Sequence, residues 1–258
     1  MSPSELKRLK AEVRARLNIS VVEVEALSLK IERFFHQYLD RITDSINSAE
    51  PKDAVELARA LVQFENALKG AGFQEVVNRI EKIYGDELDS VRERLSISSG
   101  SDVKLTAIDV ANVQALANDQ IDRATRIFSQ YVGDARSVIL SSVVMGAKPD
   151  IKALRDDFGS RLASKMNTEI NTALAGYSRA VNSQKAAELN LDKFLYFGPD
   201  DDITRPFCQE RVDKIFTQEQ VDDWDNGSDL PAGVYCGGYN CRHQLLAVSD
   251  EFAKELNE

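Results

Sequence analysis

Tyr235-Cys236-Gly237-Gly238-Tyr239-Asn240-Cys241-Arg242-His243 sets two cysteines and a histidine around a glycine pair. Cysteine sulfur and histidine nitrogen are the donors that a tetrahedral structural zinc takes. The third cysteine lies upstream in Thr204-Arg205-Pro206-Phe207-Cys208. Cys208, Cys236, Cys241 and His243 therefore offer three thiolates and one imidazole, and Gly237 and Gly238 allow the loop between Cys236 and Cys241 to turn tightly. Cys241 and His243 share a side only if the chain is extended between them. The spacing is not that of a standard finger pair, so count and clustering carry the expectation of one structural zinc per chain. Reduced thiols packed among aromatics and a disulfide are the competing readings. A catalytic Cys–His pair requires an orienting third group and an open cleft, and these two residues are too close in sequence for easy nucleophile–base geometry.

Working outward, residues 191–258 read as a small α+β module full of turns. Phe194-Leu195-Tyr196-Phe197 and the run from Gln244 to Val248 have the composition of short strands. Thr204 is placed to cap a short helix with Pro206 just inside it, and Thr217-Gln218-Glu219-Gln220 begins another running through Trp224. A terminal amphipathic helix carries Phe252 and Leu256. So few apolar residues need a staple, and the Cys/His set supplies one. Asp200-Asp201-Asp202 and the acids around Trp224 (Asp222, Asp223, Asp225) read as solvated charge runs.

Residues 1–190 read as helix. Between Pro51 and Pro199 the only proline is Pro149. Leu6, Leu9, Val13 and Leu17 recur three or four apart after Ser2-Pro3-Ser4-Glu5, a capping-box arrangement. Asn18-Ile19-Ser20 looks like a break before a second helix with Leu27, Leu29, Ile31, Phe35 and Leu39. A third helix is expected from Pro51 to Lys69, and a fourth from Phe73 through Val76, Ile80 and Leu88. Residues 96–101 are the most loop-like segment and give a possible sub-break near 96–106. Thr106 to Asp109 can cap a long helix carrying Ile108, Val113, Leu116, Phe128, Val138 and Ile139. After a stop at Met145-Gly146, one helix is expected from Ile151 to about Leu191. His36 reads as a surface or hydrogen-bonded core histidine. The expected architecture is mainly α: a long-helix N-terminal region over 1–190 and a small C-terminal α+β zinc-stapled module over 191–258.

Composition excludes several classes. The chain of 258 residues is 43% hydrophobic and 29% charged, which is incompatible with a disordered or collagen-like chain. No apolar run approaches the roughly 18 residues of a membrane span. The N-terminus lacks a secretory h-region, so a soluble protein made in the cytoplasm is expected, and three cysteines that cannot all pair fit a reducing compartment. The net charge is −10, and residues 191–258 hold 15 acidic and 6 basic side chains of it. That acidic balance argues against nonspecific DNA affinity in the tail. Arg123, Arg126, Arg136 and Lys148 are the candidates for a DNA-facing helix, with Asp119, Asp122 and Asp134 interleaved. No P-loop, dinucleotide fingerprint, HExxH or GxSxG is present, and no catalytic residue is assigned. A hydrolase or nuclease would have to gather Asp200, Asp202 and His243 around one cleft.

Tyr196-Phe197-Gly198-Pro199-Asp200, Asp202-Ile203-Thr204-Arg205-Pro206-Phe207-Cys208 and Asn240-Cys241-Arg242-His243 resemble the C-terminal block of the phage Mu F-like minor head (head morphogenesis) proteins. The resemblance covers residues 190–245, weakens over 130–190, and is not visible before that. Met166-Asn167-Thr168-Glu169, on a helix that also carries Arg179, sits where that family has an Arg-Thr-Glu helix, with Asn167 in place of the arginine. Cys208, Cys241 and His243 match that block's ligand-type positions, and Cys236 stands where the family commonly has a His or Cys. The resemblance implies a virion structural component, not an enzyme. It would sit inside the head near the portal vertex, touch portal and capsid proteins or further copies of itself, and assist head assembly, genome packaging or delivery. A DNA-binding internal virion protein is the alternative.

Overall fold

A computed structural model describes residues 3–48, 59, 62, 63 and 73–255. The chain is mainly α with a small three-stranded antiparallel sheet near its C-terminus. The long helices are α1 (Pro3–Ser48), α2 (Phe73–Ser99) and α3 (Ala107–Val144). A short α4 (Ile151–Leu154) passes through a π-helical turn (Arg155–Gly159) into α5 (Ser160–Glu188). Then follow β1 (Lys193–Phe197), α6 (Pro206–Gln209), β2 (Ile215–Thr217), α7 (Gln218–Asp222), α8 (Ala232–Tyr235), β3 (Gln244–Val248) and α9 (Asp250–Glu255). Ser2, most of the helix expected from Pro51, the Gly70–Gly72 separator and Leu256 lie outside the described residues.

The break expected at Asn18–Ser20 is absent, and the one expected near 96–106 is present but starts later, at residue 100. α1 runs through Asn18–Ser20, because the Ser20 hydroxyl donates to the Arg16 carbonyl at 2.6 Å and satisfies itself inside the helix. α2 continues to Ser99 before the 100–106 break, with Ser96 donating to the Arg92 carbonyl at 2.9 Å and Ser98 to that of Leu95 at 3.3 Å. Serine composition alone does not distinguish a loop from a helix whose hydroxyls bond back. The start of α3 follows the sequence, with the Thr106 N–H donating to the Asp109 carboxylate at 2.6 Å and Asp109 N–H to the Thr106 hydroxyl at 3.2 Å. The helix expected from Ile151 is interrupted by the π turn.

The chain falls into two compact units: Met1–Val22 with Ile83–Leu116 and Thr168–Glu258, and Glu23–Lys82 with Ala117–Asn167. These limits cut through the long helices, whereas composition alone suggested a boundary at 190/191. The second unit buries one apolar stripe per helix, including Val24, Leu27, Ile31, Phe35 and Leu39 of α1, Val76 and Ile80 of α2, and Phe128, Val132 and Ile139 of α3. His36 lies 3.8 Å from Glu32 and against Gly159 of the π turn, partly exposed. Leu29, Ile108, Leu116 and Val138, expected on buried stripes, are exposed.

The first unit holds the sheet, in the order β2-β1-β3. Lys193 pairs with Thr217 of β2 and Val248 of β3, and Phe197 with Gln244. Strand alternation sends Phe194 and Tyr196 to one face and Leu195 and Phe197 to the other. The first face packs with Val91, Leu95, Ala186, Cys208, Cys236 and Cys241, the second with Leu9, Val13 and Phe252. Both faces are covered by helices far away in sequence, so the C-terminal module is stabilised by residues near position 10 and position 90.

Beneath this sits a buried ionic group. Arg16 donates to Glu87 at 3.0 Å, and Arg94 donates to the other Glu87 oxygen and to the Ser178 hydroxyl, each at 2.9 Å. Burial alone would raise the Glu87 pKa, but Arg94, the Ser178 hydrogen bond and Arg16 together hold it below its ordinary value. A carboxyl depressed in the folded state contributes stability that is present above the unfolded pKa, about 4.3, and lost as pH falls below it toward the folded value. Acid titration of unfolding should therefore be less steep in that window for Glu87→Gln than for the native chain. Equal slopes would show that Glu87 gains nothing from its arginines.

Candidate metal centre

The sheet and the loops around it bring three of the four expected donors together. The ligand atoms of Cys208, Cys241 and His243 lie within 4.8 Å of one another, all buried, and this group could hold a metal ion. Cys208 comes from α6, whose N-terminal Pro206 has its φ already set for a helix. Cys241 and His243 come from the segment just before β3, and Cys241 Sγ is 3.6 Å from His243 Nδ1 and 3.7 Å from Cys208 Sγ. Gly198 and the Pro199 carbonyl, just past the end of β1, lie behind the imidazole.

His243 is oriented from behind. Its Nε2 lies 2.8 Å from the Pro199 carbonyl, which can only accept, so Nε2 carries the proton and Nδ1 turns its lone pair toward the sulfurs. The ring stacks on Tyr196, with centroids 5.2 Å apart and planes at 20°. Tyr196 in turn donates its hydroxyl to Cys208 Sγ at 3.2 Å. Gly198 passes so close beneath the imidazole that a Cβ there would lie 2.5 Å from the ring.

Cys236 is the exception. It is fully buried at the end of α8 and hydrogen-bonds the Cys241 sulfur, yet it is not part of the mutually close group. Its backbone is unusual, with φ 49° and ψ −114°, and the Asn226 amide donates to its carbonyl at 2.6 Å. The four-donor set expected from sequence is thus three donors in register and a fourth beside them.

The electrostatics are those of thiols sharing too little cation. Hydrogen bonds from Cys208 and Cys236 hold the Cys241 thiol far below its ordinary pKa, and the Gly237 N–H donates to the same sulfur at 3.2 Å. Hydrogen bonding to Cys241 and burial push Cys208 up, and burial pushes Cys236 up. Cys and His donors must be deprotonated to bind a metal, so a divalent cation at this group would displace the protons that its thiols carry.

Gly237 is where close approach matters most, since a Cβ there would lie 2.5 Å from Cys208 Sγ and 3.4 Å from Cys241 Sγ. Gly237→Ala is expected to separate those sulfurs and weaken metal retention by roughly 10- to 100-fold, the range for lesions beside a metal shell. Competition against a colorimetric chelator measures this. Unchanged retention would show that the sulfurs do not act together.

Arg179 is the residue that sequence reading left without a role. Fully buried on α5, it donates Nε to the His243 carbonyl at 2.9 Å, Nη2 to Cys241 O at 2.8 Å and Nη1 to Val234 O at 3.0 Å. Burial opposes its charge, and the nearby Cys236 and Cys241 sulfurs more than offset that. One guanidinium therefore fixes the backbone on both sides of the candidate ligands. Nothing in the local sequence signals it, because its three partners lie over 50 residues downstream.

The acidic runs behave differently from one another. Asp200, Asp201 and Asp202 are exposed, but Asp201 makes a two-pronged pair with Arg242 at 2.6 and 2.7 Å. Arg242 and the Thr204 hydroxyl hold its carboxyl well below the usual range. Thr204 serves this turn rather than capping α6, where Arg205 occupies the cap position. Asp222, Asp223 and Asp225 are exposed. α7 starts where expected, with Thr217 in a full capping box with Gln220, but ends at Asp222, short of Trp224. On α3, Arg123 is engaged by Asp119 at 2.8 Å. Among the described residues no helix is long and apolar enough to cross a membrane. No known protein family, curated protein or solved structure matches this chain.

Proposed function

We propose that this chain is a structural component of a phage head, located near the portal vertex, whose C-terminal module is held by one zinc ion on Cys208, Cys236, Cys241 and His243. The observation that carries this reading is the buried convergence of Cys208, Cys241 and His243, at the positions where the chain resembles the phage Mu F-like block. The donor chemistry fits: two sulfurs and an imidazole whose far nitrogen is already committed match a structural zinc shell, and Cys236 is the adjacent sulfur that completes four. In this role zinc neutralises the clustered thiolates and fixes three loops of the module. It performs no reaction.

Protein contact is favoured over DNA contact. Ile19 and Val22 on α1 and Ile108 and Val110 on α3 present apolar side chains to the surface. Portal and capsid proteins, or further copies of this chain, are the partners proposed for such surfaces. The arginine Arg123 proposed for a DNA face already has a carboxylate partner, and the acidic tail would repel packaged DNA. A hydrolytic role for Asp200, Asp202 and His243 finds no support in a ring whose Nε2 is spent on the Pro199 carbonyl.

Particle analysis tests the assignment. Heads assembled from portal, capsid protein and this chain should retain it in few copies, and should lose it when Cys241→Ser replaces the native protein. Heads that never contain the chain would refute the reading, as would tight DNA binding by the purified protein at about 0.15 M salt, where weak phosphate contacts are screened.

A further inference from the structure

Asn226 is the only asparagine of the chain followed by glycine. In such a pair the glycine nitrogen, with no Cβ beside it, can reach the asparagine side-chain carbon. The loop between α7 and α8 arranges further polar groups around that bond. The Gly227 N–H, the would-be nucleophile, donates to Asp225 Oδ1 at 2.8 Å. Asn226 Oδ1 accepts from the Ser228 N–H at 2.9 Å and from the Ser228 hydroxyl at 2.7 Å. Asn226 Nδ2 donates to the carbonyls of Leu230 at 3.1 Å and Cys236 at 2.6 Å. Gly227 itself holds φ at +71°, a conformation suited to glycine.

We propose that Asn226 is a self-modifying site, converted through a cyclic imide with Gly227 into aspartate or isoaspartate. Asp225 is the base, placed on the proton that must leave. Ser228 supplies two donors to the oxygen on which negative charge develops, the arrangement that stabilises acyl-transfer intermediates. The Gly227 N–Asn226 Cγ bond forms and the Cγ–Nδ2 bond breaks. The proton from Gly227 N passes to Asp225 and on to the departing amine, which leaves as ammonia. Water then adds to one of the two imide carbonyls and reopens the ring. No oxidant or reductant is involved.

The change would matter locally, because an amide that donates to two carbonyls becomes a carboxylate facing them. The Cys236 carbonyl would lose its partner and gain a repelling charge. If Cys236 is the fourth zinc donor, a consequence that rests on the proposed function, ageing at Asn226 would loosen the metal.

Timed incubation of the full-length protein followed by peptide mass mapping reads the conversion itself, whether or not a metal is bound. Asn226 should acquire the mass of an acid ahead of every other asparagine. Asp225→Ala and Ser228→Ala should each slow this several-fold while leaving the far-ultraviolet dichroism of the chain intact. Conversion at another asparagine first, or equal rates in the native protein and both variants, would overturn the proposal.

Discussion

Cys241→Ser is expected to abolish zinc retention and to destabilise the unit that carries the sheet by on the order of 5 kcal/mol. The figure is set below the ~10–16 kcal/mol of isolated zinc-finger peptides because a sheet with two covered faces persists without metal. Cys241 is the sulfur through which the others communicate: it lies 3.7 Å from Cys208 Sγ, 3.6 Å from His243 Nδ1 and accepts from Gly237 N–H. Serine keeps the shape but presents a hard, poorly ionising oxygen to a site built of soft donors. Thermal unfolding followed by near-ultraviolet dichroism should show native protein plus chelator falling toward the variant, and the variant itself indifferent to chelator. A native protein equally indifferent to chelator would mean that the thiols are simply buried and reduced.

Arg179→Leu is expected to cost about 3–5 kcal/mol, the magnitude for removing one partner of a buried charged network. Leucine fits the apolar volume but leaves the carbonyls of Val234, Cys241 and His243 without the guanidinium that joins them. Arg179→Lys should recover little of the loss, since an ammonium is a compact charge without the planar fork that spans these acceptors. Urea unfolding of the three proteins measures both differences. Lysine as good as arginine would reduce the role of Arg179 to charge alone, and a leucine variant as stable as the native chain would remove the residue from the account.

What the sequence made legible was whatever is local. The 3.6-residue stripes of α1, α2 and α3, the Thr106–Asp109 and Thr217–Gln220 caps and the apolar runs of β1 and β3 are decided within a few residues. The Cys/His clustering was visible as well, and three of its four members meet. What was hidden depends on distance. β2 is a three-residue strand whose identity comes from its pairing with Phe194 and Leu195. The covering of β1 by Leu9 and Val13 joins positions nearly 190 residues apart, so composition placed a boundary at 190 where packing has none. Spacing groups Cys236 with the other donors, and cannot reveal that it lies outside the mutually close set. Asn226, which holds the Cys236 carbonyl, reads in sequence as an ordinary turn residue.

X-ray absorption at the zinc edge of the purified chain reads out whether four donors converge on one zinc ion. About one zinc per chain is expected, with three sulfur neighbours at ~2.3 Å and one nitrogen at ~2.0 Å. A shell with two sulfurs and an oxygen would place Cys236 outside the coordination sphere, and a chain that binds no zinc at all would overturn the proposed zinc-held module.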